Sequence, residues 1–297
     1  MPDSVIPVPT PSRESFGSRL GLAMTQRGPL CVGVDPHPGL LAAWGLNDDV
    51  EGLRTFSLTV LEAVGQLAAA LKPQVALYER HGSRGMAVLE EFLQAARSAS
   101  VLTIADAKRG DIGSTMAAYS DAWLRDGSAL AADAVTLSPY LGFESLRPAL
   151  DQAAESDRGV FVLALTSNPE GASVQHVGGT DSVAGRIVSA AGEENRRNRT
   201  APSQRETSGH ALGSVGLVVG ATVGSALTDL ALDLSGLNGP ILAPGLGAQG
   251  GTAADLRKTF GSAYSQVLAT SSRDILSAGP HAAALKAATQ RTLDPLT

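Results

Sequence analysis

The sequence predicts an α/β fold of one kind, a (β/α)8 TIM barrel, and three observations carry that expectation. Eight short β-type runs alternate with longer helical patterns, hydroxyl or charged residues end most of those runs, and no G-x-G-x-x-G follows the first. Alternating βα units demand a parallel sheet, and eight of them close a barrel. The missing glycine fingerprint disfavours an open doubly wound sheet, where a dinucleotide would sit at the first turn. A length of 297 residues fits two domains or one barrel of the usual size, about 250 residues.

Taken in order, Phe16 to Gln26 reads as a leading helix and Leu30 to Asp35 as the first strand, stopped by Pro36 and Pro38. A helical pattern from Gly52 to Ala70 leads into a second strand over Leu71 to Glu79. Lys72 falls early in that strand, and Pro73, which cannot donate to a ladder, suggests an irregular entry. A helix over Arg84 to Ser98 precedes the third strand, Val101 to Lys108, and another helix starts near Ser114. The remaining strands are Ala134 to Ser138, Gly159 to Thr166, Gly216 to Thr222, Pro240 to Pro244 and Ser265 to Thr270. Ala190 to Ser214 is polar, lacks apolar periodicity and reads as a long exposed insertion without chemistry. The expected organisation is a flexible segment over 1–15, then one barrel domain over 16–297 with this insertion near 190–214.

Hydrophobic residues make up 43% of the chain and charged residues 18%, enough apolar material for a sizeable core. The net charge of −6 argues against nucleic-acid binding, which needs a basic face, but leaves room for a local anion pocket. Cys31 is the sole cysteine, so neither an intrachain disulfide nor a cysteine zinc cluster can form. Met1 to Pro11 has no basic start or apolar h-region, and the apolar stretch Val215 to Leu234 is interrupted by Gly, Ser, Thr and Asp229. A soluble cytoplasmic protein without membrane contacts is expected.

The barrel places polar strand ends on one face, the face on which such folds carry their sites. Asp35, Asp106 with Lys108, Ser138, Thr166 with Ser167, Thr222, and Ser271-Ser272-Arg273 all qualify. The densest stretch is Ala105 to Thr115. Residues two apart in a strand share a face, so Asp106 and Lys108 point one way while Ala107 and Arg109 point the other. Gly110 would permit a sharp turn, after which Asp111 leaves the strand line. Lysine is scarce, occurring only at 72, 108, 258 and 286, and a carboxylate buried beside an ammonium is seldom placed for stability alone. Two later stretches suit a phosphate. Ala243 to Gly251 is a Gly-rich strand-to-helix turn with backbone N–H groups to offer, and Arg273 closes the last strand with a forked cation. Barrels often bind phosphate at the loops after strands seven and eight.

The run Asp106-Ala-Lys108-Arg-Gly-Asp111-Ile-Gly-Ser-Thr115 resembles the D-x-K-x-x-D signature of the orotidine 5′-phosphate decarboxylases, in their bacterial type 2, mycobacterial-like subgroup. The resemblance runs from Phe16 to the final helix and includes Cys31-Val-Gly-Val-Asp35-Pro-His-Pro, Leu71-Lys72-Pro-Gln, Ser138-Pro-Tyr-Leu-Gly142, Thr166-Ser167-Asn-Pro169, Val219-Gly-Ala-Thr222, Ala243 to Gly251 and Ser272-Arg273. It implies a charge network of Lys72, Asp106, Lys108 and Asp111, with Asp111, Ile112 and Thr115 reaching into the neighbouring subunit's site of a homodimer. It also implies that Asp35 and Thr115 hold the ribose hydroxyls, Ser167 the pyrimidine amide edge, and Gln249, Gly250, Ser272 and Arg273 the phosphate end. The substrate would be orotidine 5′-monophosphate, with UMP and CO2 as products in de novo pyrimidine biosynthesis. No cofactor or metal is expected, because the ammonium of Lys108 would stabilise the C6 carbanion and then protonate it. Two alternatives stand beside this reading. One is a magnesium-dependent sugar-phosphate decarboxylase or aldolase of the same barrel class, which needs further acidic ligands; the other is a nucleotide-binding barrel that has lost catalysis.

Overall fold

The computed structural model describes residues 13–200, 212–247 and 250–297. The first twelve residues of the segment expected to be flexible, and Gln249, lie outside that range. Eight parallel strands form the barrel: β1 (Leu30–Val34), β2 (Ala70–Pro73), β3 (Ile104–Arg109), β4 (Ala134–Leu137), β5 (Gly159–Leu165), β6 (Val215–Val219), β7 (Ile241–Pro244) and β8 (Val267–Ser271). Their order is β2-β1-β8-β7-β6-β5-β4-β3. Bridges from Leu71 to Thr103 and from Gln74 to Asp106 join the two ends, so the sheet closes and leaves no edge strand to pair with another chain. The predicted (β/α)8 barrel is the observed fold.

Alternation sorts the strand residues into two cores. Cys31, Ala70, Ile104, Ala134, Phe161, Val218, Leu242 and Leu268 point inward and form one cluster with Phe16, Leu20 and Ala23. Those last three lie on the helix Phe16–Arg27, which therefore stoppers the bottom of the barrel. Phe16 meets Phe161 edge to face at 5.9 Å. Gly159 makes the room, since a Cβ there would stand 2.1 Å from the Phe16 ring. The outward strand residues pack against the surrounding helices in the larger core, as Val32, Leu71 and Ala105 do with Leu53, Phe56, Val60, Leu89 and Phe92. With the lower half filled by apolar side chains, the inward polar positions are confined to the top.

Three local readings differ from the expectation. The second strand stops at Pro73, and Ala76–Glu79 is a short helix instead. Lys72 is thus near the carboxyl end of its strand, paired in register with Gly33, and not at an irregular entry. The chain turns away at Gly110 with an ordinary φ, and glycine is needed there because a Cβ would lie 2.3 Å from the Ser138 carbonyl oxygen. The exposed insertion begins inside a helix, Val183–Thr200, whose inner face continues into the polar stretch. Glu194 and Asn195 are buried there, and residues 201–211 lie outside the described range.

Candidate active site

Position 108 is the unusual point of β3. Lys108 has a φ of 46°, a left-handed conformation that costs a non-glycine residue about 1–2 kcal/mol. The strand bulges at the same place, advancing from Ala105 to Arg109 while β4 advances only from Val135 to Leu137. Ala107 and Arg109 face outward as alternation requires. The Arg109 guanidinium lies 5.6 Å from the Tyr119 ring centroid and 5.8 Å from that of Trp123, and pairs with Glu79. Arg109 thus ties the strand to the helix Gly113–Leu124, while Asp106 and Lys108 turn into the barrel mouth.

Asp106 is the hub there. Its Oδ2 accepts a hydrogen bond from Lys72 Nζ at 2.7 Å, and its Oδ1 accepts from Lys108 Nζ at 2.6 Å and from Thr136 Oγ1 at 2.9 Å. The Lys72 side chain is 8% exposed and that of Lys108 45%, so one ammonium is built into the wall while the other faces the opening. Burial opposes ionisation of Asp106, but the ammoniums of Lys72 and Lys108 outweigh it and hold the carboxyl well below the usual carboxylate range. Burial likewise opposes the Lys72 ammonium; Asp106 and then Asp35 overcome it and raise the Lys72 pKa. Both groups are charged at neutral pH. Cys31 lies among these groups, and burial pushes its thiol up to about 12 despite Lys72, so it stays neutral.

The other predicted residues ring this centre to different degrees. Asp35 follows β1, and its Oδ1 is buried with no partner. It stands beside Ser272, since a Cβ placed on Gly33 would be 3.0 Å from Asp35 Oδ2 and 2.8 Å from Ser272 Cβ. Arg273 is exposed at the start of the short helix after β8. The Gly-rich turn after β7 is pinched by bonds from Gly247 N to Gly251 O and from Gly250 N to Gly247 O. It touches the β8 loop through Asp274, whose carboxylate abuts Gly247, so the two anion-suited loops are neighbours. Ser167 is exposed beside Gly220 at the top of β5 and β6. Asp111, Ile112 and Thr115 are not drawn into this centre. The Asp111 carboxylate accepts from the Ile112 amide, and Ile112 and Thr115 face outward. Among the described residues no three His, Cys, Asp or Glu side chains gather as a metal site, and no helix is long and apolar enough to cross a membrane.

A family model described as the orotidine 5′-phosphate decarboxylase / HUMPS family matches residues 28–288. The chain belongs to this family. It is 55% identical over 280 residues to the orotidine 5′-phosphate decarboxylase of Salinispora arenicola, covering 94% of this chain and 96% of that one. The Streptomyces coelicolor enzyme of the same name is 53% identical over the same length, covering 94% and 95%. The crystal structure of a Streptomyces avermitilis protein assigned to that activity superposes with a TM-score of 0.87 at 53% identity, covering 96% and 95% of the two chains. The Leishmania donovani OMP decarboxylase superposes with a TM-score of 0.71 at 29% identity, covering 95% and 97%.

Within this decarboxylase-family barrel, sequence reading brought Lys72, Asp106 and Lys108 together but missed Thr136. Thr136 is buried within β4, and two-residue alternation from Ala134 was the signal that it faces inward. Gln74 was missed as well; its Oε1 is buried without a partner just past the end of β2.

Proposed function

We propose that this chain is an orotidine 5′-phosphate decarboxylase, a carboxy-lyase converting orotidine 5′-monophosphate to UMP and CO2 for de novo pyrimidine synthesis, without a cofactor. The observation that carries the proposal is the carboxylate of Asp106 held between Lys72 and Lys108 at the barrel mouth, in a chain of this family. Breaking the bond from C6 to the carboxylate leaves an electron pair on C6 that the pyrimidine cannot delocalise as an enamine would. A fixed ammonium beside C6 stabilises that charge, and preorganised charge acts strongly because it does not reorient during the reaction. Lys108 is the more open lysine and the proton donor to C6; solvent then restores its proton. Lys72 holds Asp106, and Asp106 aims Lys108.

Asp35, with its unpartnered buried oxygen, and Thr115 take the ribose hydroxyls. Ser167 takes the pyrimidine amide edge. Gln249, Gly250, Ser272 and Arg273 take the phosphate, whose binding energy serves orientation at the distant ring. Asp111, Ile112 and Thr115 act in the partner's site of a homodimer, which fits their separation from Asp106 within one chain. Both Asp106 oxygens already accept from ammonium and hydroxyl donors, an arrangement that suits lysine chemistry better than a magnesium ligand.

The test follows the loss of ultraviolet absorbance as orotidine 5′-monophosphate is consumed, with and without EDTA. Turnover of equal rate in both samples is expected. Absence of turnover in both samples would sink the proposal, and turnover lost only with EDTA would overturn its cofactor-free chemistry.

A further inference from the structure

We infer that Thr136 is a positioning residue for Lys108, fixing from β4 both the backbone and the ammonium of the proton donor; the inference rests on the decarboxylase reading of the site. One hydroxyl carries two bonds. Its oxygen accepts from the Lys108 backbone N–H at 2.9 Å, and its proton goes to Asp106 Oδ1 at 2.9 Å. That carboxylate oxygen is the one to which Lys108 Nζ donates. The three groups therefore close a ring in which the two ends of Lys108 are referred to the same hydroxyl, one directly and one through Asp106.

The ring answers a need created by the bulge. Asp106, Ala107 and Lys108 have no register partner on β4, since pairing passes from Ala105 opposite Val135 to Arg109 opposite Leu137. The Lys108 N–H cannot use a ladder carbonyl, and Thr136 Oγ1 replaces it. Strained backbone persists only where its surroundings over-determine it, and Thr136 is 1% exposed, so its hydroxyl is fixed in place by the packing of β4. Valine at this position would keep the shape, remove the acceptor and leave the Lys108 N–H without its protein partner. Lys108 could then leave the left-handed region and carry its ammonium away from Asp106. Serine would keep both bonds.

The experiment compares wild type, Thr136→Val and Thr136→Ser, with Thr136→Ala as a second hydroxyl-free variant should the valine protein fold poorly. Losing this hydrogen bond and the positioning it gives predicts a fall in kcat of about 10- to 100-fold for Val. KM and the affinity for UMP should stay within about threefold, because Thr136 touches Lys108 and Asp106 and not the groups that hold ribose or phosphate. Ser should retain most of kcat. Lysine is scarce enough that 15N-lysine labelling resolves the Lys108 amide, whose hydrogen exchange should quicken at least about tenfold in Val and not in Ser. Wild-type kcat and amide protection in Val, or a Ser variant as impaired as Val, would overturn the inference. If wild type itself fails to decarboxylate orotidine 5′-monophosphate, the functional reading falls, and amide exchange still decides whether Thr136 holds Lys108.

Discussion

Lys108, the proton donor of the proposed reaction, carries backbone strain at the barrel mouth. Its left-handed φ, the bulge and its contact with Asp106 fix a flexible side chain that would otherwise sample many rotamers. Removing the ammonium should therefore remove chemistry and spare binding. Lys108→Ala is expected to fall below about 1% of wild-type kcat while binding UMP within about threefold, as loss of an interaction made in the transition state requires. A variant keeping more than a few percent of the rate would show that Lys108 is not the donor. Arg273→Ala should do the opposite. If Arg273 takes the phosphate as proposed, losing that charge-assisted contact should raise KM by about 10- to 100-fold with a smaller change in kcat. Steady-state kinetics with UMP titration separates the two outcomes.

Buried polar side chains set the boundary between the barrel and the polar insertion. The helix Val183–Thr200 buries Ala184, Ile187, Val188 and Ala191, then continues the same face with Glu194 and Asn195. Glu194 pairs with Arg147 and Arg197. Asn195 donates to the carbonyls of Val215 and Leu237 and accepts from the Val215 amide, so it docks the helix onto the start of β6. Helical spacing was present in the sequence, but polar residues occupied the buried face, and an apolar-periodicity reading saw only solvated chain. The second strand failed for the converse reason. Val75 to Tyr78 is apolar whether strand or helix, and period alone could not divide it at Pro73. Strands with full inward and outward burial, such as β5 and β8, were legible to within one or two residues. Because Asn195 satisfies three buried backbone groups, Asn195→Ala should lower the free energy of unfolding by about 2–4 kcal/mol. Urea denaturation would measure it; a loss under about 0.5 kcal/mol, the size of an ordinary surface substitution, would return this helix end to the status of an exposed tail.

For the whole molecule, the site is legible in sequence only as far as one chain can carry it. Lys72, Asp106 and Lys108 come together because barrel strands deliver alternate residues to one mouth, and the same alternation turns Thr136 inward, whereas its bond to the Lys108 amide depends on a bulge that no sequence pattern announced. Asp111 belongs to the same signature, yet its carboxylate accepts from the Ile112 amide here and not from Lys108, whose ammonium bonds Asp106. A carboxylate from another subunit would give the open side of Lys108 a second anionic partner. The surface near Asp111 fits such an approach: Ile112 follows it and is 62% exposed, and Tyr140 and Leu141, 79% and 53% exposed, follow Ser138, whose carbonyl lies against Gly110; exposed apolar side chains in one region mark interaction surfaces. A two-fold dimer that exchanges Asp111 would make each site from two chains. The consequence is countable. In a heterodimer of Asp106→Ala and Asp111→Ala subunits, one site inherits both lesions and the other inherits neither. Random reassociation of equal amounts makes half the dimers mixed, each with one intact site, so activity should recover to about a quarter of wild type from two inactive parents. Independent sites would give no recovery, and confirmed heterodimers that remain inactive would place Asp111 outside the partner's chemistry.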